Sequence, residues 1–143
     1  MNLVRMKTSS TVLVPDVGGS ALRIATTFAP ITTMKLPGGE RAVLGTKLED
    51  YSLNPLHRDG RHKARVFAAA LGITLVNREL LRNALLDAAA TSDAVVSQGD
   101  NGFGSEFRLR FPLTIGRNTA TVLSAWIVRH GEDFPRLTTC YIV

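Results

Sequence analysis

The chain has 143 residues, 45% of them hydrophobic and 20% charged, with Lys and Arg exceeding Asp and Glu by five. That length suits one domain with a real core and the composition is too apolar for a disordered chain, while a modest basic surplus suits a polyanionic partner without requiring one. A lone cysteine, Cys140, excludes an internal disulfide and any C-x-x-C metal or redox motif. No apolar run approaches the roughly 18 residues of a membrane span, and Pro15, Asp16 and Arg23 interrupt the N-terminal stretch before a signal-peptide core develops. The expectation is a cytoplasmic protein with no membrane contact.

Residues 1–33 are rich in Thr, Val and Ser, with Asp16 as their only acid. They read as an N-terminal extension or arm, with short strands at Thr11–Val14 and Ala21–Phe28 around a Pro15–Ser20 turn carrying Gly18 and Gly19. Met34 opens a segment that reads like a natural beginning, so residues 34–143 are expected to form the single working domain. After Tyr51-Ser52-Leu53, Asn54-Pro55 marks a turn, and good helix formers run from Arg61 or His62 to Leu71, with Gly72 at the helix end. Val66, Phe67, Ala70 and Leu71 make its apolar face, leaving Arg61, His62 and Arg65 outside. A second helix is expected from Thr74 or Asn77 to about Ala90, burying Leu81, Ala84, Leu85 and Ala88.

Downstream the period changes from helical to alternating. Ser97–Gly104 reads as a loop with an Asn101-Gly102 turn, and Glu106 to Phe111 then alternates polar and apolar as a half-buried strand. Thr119–Arg129 and Leu137–Val143 are further strands, β-branched and aromatic. Two helices followed by about four strands predict an α+β fold with an antiparallel sheet. Trp126 belongs in the core, and His130 in a surface loop with Glu132 and Asp133.

Two clusters carry the chemistry. His57 to Arg65 holds four cations, one acid and two histidines around Gly60, at a helix start whose free N–H groups favour an anion. The alternative is a solvated helix start whose histidines cap backbone. Its charge, +3, equals that of the whole of residues 34–143, so the rest of that segment is neutral. The second cluster is Pro135 to Tyr141. On a regular strand Thr139 and Tyr141 share one face while Arg136 and Thr138 take the other, and Thr and Tyr are also simply good strand residues. Carboxylates are scattered, and no metal-ligand spacing, P-loop, dinucleotide fingerprint or nucleophile elbow occurs. The remaining inventory of His, Lys, Arg, Thr and Tyr is that of metal-free phosphodiester chemistry, for which no metal or other cofactor is expected.

At these clusters the chain resembles a bacterial family of domains of unknown function. The shared pattern stands here as Leu36-Pro37, Tyr51 to Asn54, His57, Gly60, Lys63-Ala64, Phe67, Leu71-Gly72, Trp126-Ile127 and Pro135 to Tyr141, covering about residues 34–143. Arg58 departs from it, since proline is usual there. Similar domains stand alone or end large contact-dependent and polymorphic toxins. They resemble the barnase, EndoU, colicin and RelE group of metal-independent ribonucleases, in which N-terminal helices pack on a four- or five-stranded antiparallel sheet.

That resemblance implies an endoribonuclease toxin cleaving RNA, tRNA among the candidates, by 2′-OH attack. It also implies a small acidic antitoxin or immunity protein as partner. His57 is then the expected base or acid, Lys63 the holder of phosphate charge, and Thr139 and Tyr141 the residues that orient the phosphate or donate a proton. Arg61, His62, Arg65 and Arg136 are expected to bind the substrate. The alternative is a non-catalytic RNA- or protein-binding module of a toxin and immunity pair.

Overall fold

A computed structural model describes residues 32–143, together with the backbone of residues 10–14 and 23–28. Backbone contacts divide the chain into residues 1–33 and 34–143. In the first unit β1 (Ser10–Val14) and β2 (Arg23–Phe28) form an antiparallel ladder, Ser10 opposite Phe28 and Val14 opposite Arg23. The expected strands are therefore present, whereas the Pro15–Ser20 turn lies outside the described residues.

A short strand at the division, β3 (Thr33–Met34), is followed in the second unit by α1 (Arg61–Leu71), α2 (Arg78–Thr91), β4 (Val95–Asp100), β5 (Gly104–Ile115), β6 (Asn118–Arg129) and β7 (Arg136–Ile142). The sheet order is β3-β4-β5-β6-β7, and β4 to β7 pair antiparallel with their sequence neighbours. This is the α+β class read from the sequence.

Helical spacing places Ala64, Phe67 and Leu71 of α1, and Leu81, Leu85, Ala88 and Ala89 of α2, in the interior. They share one core with a sheet face made by Phe107 and Leu109 of β5, Val122 and Trp126 of β6, and Leu137 and Cys140 of β7. Each fully buried large side chain contributes about 1.5–3 kcal/mol. Trp126 is buried as expected, its indole N–H donating to Ser124 Oγ, which in turn donates to the Leu109 carbonyl. Leaving either group unpaired in that interior would be costly.

The helix ends follow from local chemistry. Gly72 adopts φ +70°, and its N–H donates to the Ala68 carbonyl while the Ile73 N–H reaches back to that of Phe67, closing α1 with a left-handed glycine cap. The expected apolar face is right at Phe67 and Leu71 but not at Val66, which is 43% exposed. Ala64 takes the inward position three residues before Phe67, so the buried stripe runs one step off the predicted one. Asn77 precedes α2, its side chain accepting from the Thr74 N–H and donating to the Gly72 carbonyl, which fixes the link between the helices.

Two further differences reshape the sheet. Ser97–Asp100, expected as loop, belongs to β4, where Ser97 pairs with Phe107 and Asp100 with Ser105. Gln98, Gly99 and Asp100 have little strand preference of their own, and the long β5 supplies the pairing. In β7, Leu137 faces Trp126 but Thr139 faces Ala125, so Thr138 is an extra, bulged residue. That insertion reverses the expected parity. Arg136, Thr139 and Tyr141 pair with Ile127, Ala125 and Leu123, which alternate on one face of β6.

Candidate functional site

The segment before α1 sets the site. Leu48–Ser52 forms one wide helical turn, closed by the Leu53 N–H bonding the Leu48 carbonyl five residues earlier, and buries Leu48, Ser52 and Leu53. Glu49 anchors the turn to α2 through Arg78 and Arg82, at 3.1 and 2.9 Å. Burial alone would raise the Glu49 carboxyl, but a backbone hydrogen bond and the two arginines outweigh it and hold the group below its ordinary value. Tyr51 is thereby presented to the first turn of α1. Gly60, packed under it, leaves no room for a side chain, since a Cβ there would lie 2.0 Å from the Tyr51 carbonyl oxygen.

Lys63 donates to Tyr51 Oη at 2.7 Å, and its Nζ lies 4.8 Å from the Tyr51 ring centroid and 5.6 Å from that of Tyr141. An ammonium between two aromatic rings gains cation–π attraction from both. Among the described residues no carboxylate forms an ion pair with it. A Tyr51 oxygen that accepts from Lys63 keeps its own O–H free to donate. Lys63 and Tyr141 line a shallow concavity of about 420 Å³ with His62, Val66 and Ile142.

His57 is placed differently from its expected role. Its Nδ1 accepts from the backbone N–H groups of Asp59 and Gly60, at 3.0 and 2.9 Å, and its ring meets the Tyr51 ring edge-on at 4.8 Å. A neutral imidazole accepting at Nδ1 carries its proton on Nε2, so in this arrangement it offers a donor and no free base nitrogen. The histidine closes the loop before α1, the capping alternative weighed for it above.

The other expected residues separate into three places. Arg61 and Arg65 flank an apolar groove with Pro55, Leu75 and Val76, away from the concavity, and Arg61 also donates to the Arg58 carbonyl at 2.7 Å. Arg136, at the opposite end of β7 from Tyr141, is held by both oxygens of Glu132 at 2.9 and 2.8 Å and stacks on Phe134. That hydrogen-bonded pairing raises the guanidinium further and lowers the carboxyl. Thr139 Oγ1 is buried without a hydrogen-bond partner among the described residues, so it does not reach the concavity surface. His130 is at the surface as expected, where its ring meets the Asp100 carboxylate at 2.7 Å.

Tyr51 is the residue that sequence reasoning passed over as a site member. The signal was present, because Tyr51 opens the Tyr-x-Leu-Asn element of the pattern, yet its distance from Lys63 could not be read from two segments joined by a turn. Beneath the site lies Cys140, whose thiol burial pushes up to about 12, the adjacent Ser52 hydroxyl and the Lys63 charge opposing only in part.

Among the described residues no helix is long and apolar enough to cross a membrane. No curated protein and no solved structure gives a match to the chain. The profile of a family described as a domain of unknown function (DUF6883) matches residues 35–143, which include every residue of the concavity and of the loop that builds it. By that match the chain belongs to the DUF6883 family.

Proposed function

We propose that this domain is a metal-independent endoribonuclease of the toxin type, acting on RNA in the cytoplasm. The observation that carries the reading is Lys63, a cation with no carboxylate partner among the described residues, held by Tyr51 in a concavity it shares with His62 and Tyr141. Phosphoryl transfer from RNA to its own 2′-OH needs a base, an acid and a charge to stabilise the phosphorane. His62 takes the 2′-OH proton, O2′ bonds to phosphorus, and the bond from phosphorus to O5′ breaks as Tyr141 protonates the leaving oxygen. Lys63 holds the non-bridging oxygens. The products are a 2′,3′-cyclic phosphate and a 5′-hydroxyl, and the site resets when His62 releases its proton to solvent and Tyr141 regains one from it.

Helices followed by an antiparallel sheet is the order of the barnase, EndoU, colicin and RelE ribonucleases. That likeness supports the reading while leaving activity to the site. A small acidic antitoxin or immunity protein would neutralise the domain by covering the cations around α1.

Two observations favour the rival, a non-catalytic RNA- or protein-binding module: His57 spends its acceptor nitrogen on backbone, and Thr139 Oγ1 is buried. Incubation with RNA in the presence of chelator separates them. The nuclease should leave 2′,3′-cyclic ends and spare an RNA with 2′-deoxyribose at the scissile nucleotide. Equal cutting of that analogue would overturn the mechanism, and salt-sensitive binding without products would establish the rival.

A further inference from the structure

We propose that the end of the sheet where β7 begins carries a second nucleic-acid contact, at which a single-stranded ribonucleotide stacks its base on Phe103 and lays its phosphate on Lys47 and Arg129. The proposal rests on the RNA reading above and extends it to the form of the substrate.

A cleft of about 570 Å³ opens there, lined among others by Lys47, Phe103, Glu106, Arg129, His130 and Arg136. Phe103 is 76% exposed, an unfavourable setting for a large apolar ring. Its backbone is nonetheless held firmly. The Phe103 and Gly104 N–H groups both donate to Asn101 Oδ1, at 2.8 and 3.2 Å, and the Gly102 N–H donates to Asp100 Oδ1 at 2.7 Å. From the neighbouring strand end, the His130 N–H donates to the Phe103 carbonyl, and the His130 ring binds Asp100 Oδ2. Gly104 allows this closeness, because a Cβ there would lie 2.3 Å from the Val128 carbonyl oxygen. An exposed aromatic face carried on a fixed backbone at the rim of a cleft is what a base needs in order to stack, since every base has a π-face.

The charges fit the same ligand. Lys47 and Arg129 line the cleft, and among the described residues neither forms an ion pair with a carboxylate. Arg136 is already bound by Glu132 and is left out of the phosphate contact. Glu106 is the acid in the lining; it repels phosphate from its side and can accept from a base amino group or a ribose hydroxyl.

Arg136 and Tyr141 lie near the two ends of β7, so the cleft and the Lys63 concavity stand about 15 Å apart along the strand. Lys47, in the lining of the cleft, immediately precedes the helical turn that carries Tyr51. Only an unpaired strand offers a base free to stack on Phe103 while its backbone continues toward Lys63.

Fluorescence anisotropy with a labelled single-stranded 2′-O-methyl oligonucleotide, which resists cleavage by 2′-OH attack, tests this. Phe103→Ala should weaken binding on the order of tenfold or more while Phe103→Trp retains it. The double variant Lys47→Ala, Arg129→Ala should lower the slope of log affinity against log salt by about 0.7, the share of one phosphate on a single strand. Cleavage of a dinucleotide, too short to span both places, should stay at the wild-type rate. Wild-type affinity and salt slope in these variants would overturn the second contact and leave the nuclease reading standing. A wild-type protein that neither binds the oligonucleotide nor cuts RNA would overturn both.

Discussion

Lys63 Nζ and Tyr51 Oη, 2.7 Å apart, tie the first turn of α1 to a helical turn on the far side of an eight-residue loop. The phenol oxygen accepts a hydrogen bond from the ammonium and so determines where the site's cation stands. Tyr51→Phe keeps the ring and removes that acceptor, leaving Lys63 free to swing into solvent. The expected result is about tenfold slower RNA cleavage with stability lowered by about 1 kcal/mol, the net worth of one partly exposed hydrogen bond. Lys63→Ala should cost about 10²–10³-fold in kcat, as loss of a single stabilising donor does elsewhere. Cleavage by Lys63→Ala at the wild-type rate, with the fold confirmed by circular dichroism, would remove Lys63 from the reaction.

His57 and His62 should part company when each is changed to alanine. His57 satisfies two backbone N–H groups ahead of α1, so its loss should lower stability by about 1–2 kcal/mol, with activity falling only as far as the folded fraction does. His62 is exposed beside Lys63, and its loss should leave thermal unfolding unchanged while lowering kcat about 10²–10⁴-fold and flattening the acid limb of the pH–rate profile. The reverse pattern, an inactive but stable His57→Ala beside an active His62→Ala, would return the proton-transfer role to His57.

Much of this layout was written in local periodicity. Phe67 and Leu71 followed by Gly72 marked α1 and its end, and the alternation through Phe107 and Leu109 marked β5, because each pattern needs only residues within one element. Features that depend on two elements were not legible. Gln98, Gly99 and Asp100 form strand because β5 offers them partners, and Val66 faces out because the helix is turned so that Ala64, Phe67 and Leu71 are the buried positions. The bulge at Thr138 depends on where β6 resumes its pairing, so strand parity put Arg136 on the wrong face. At the site the same boundary holds. Lys63 and Tyr141 stood out as residue types in a pattern, whereas the Tyr51 contact, the capping by His57 and the capture of Arg136 by Glu132 belong to the folded chain.

Cys140 gives the site a signature at alkaline pH. Its thiol, buried under the Ser52 turn, is pushed up to about 12 from an ordinary 9.0. Above pH 9 the unfolded chain releases this proton while the folded chain retains it, so the unfolded state binds fewer protons and stability falls as pH rises. The contribution is fully present below pH 9 and is lost up to about pH 12, with a slope of at most about 1.4 kcal/mol per pH unit for one proton. Denaturant unfolding at pH 8, 9.5 and 10.5 should show this slope in the wild type and a shallower one in Cys140→Ala, which lacks that proton. In the native protein at pH 8 the thiol should react with Ellman's reagent only as fast as the chain opens. Reaction at the rate of a free cysteine would mean that β7 and the Ser52 turn do not close over it.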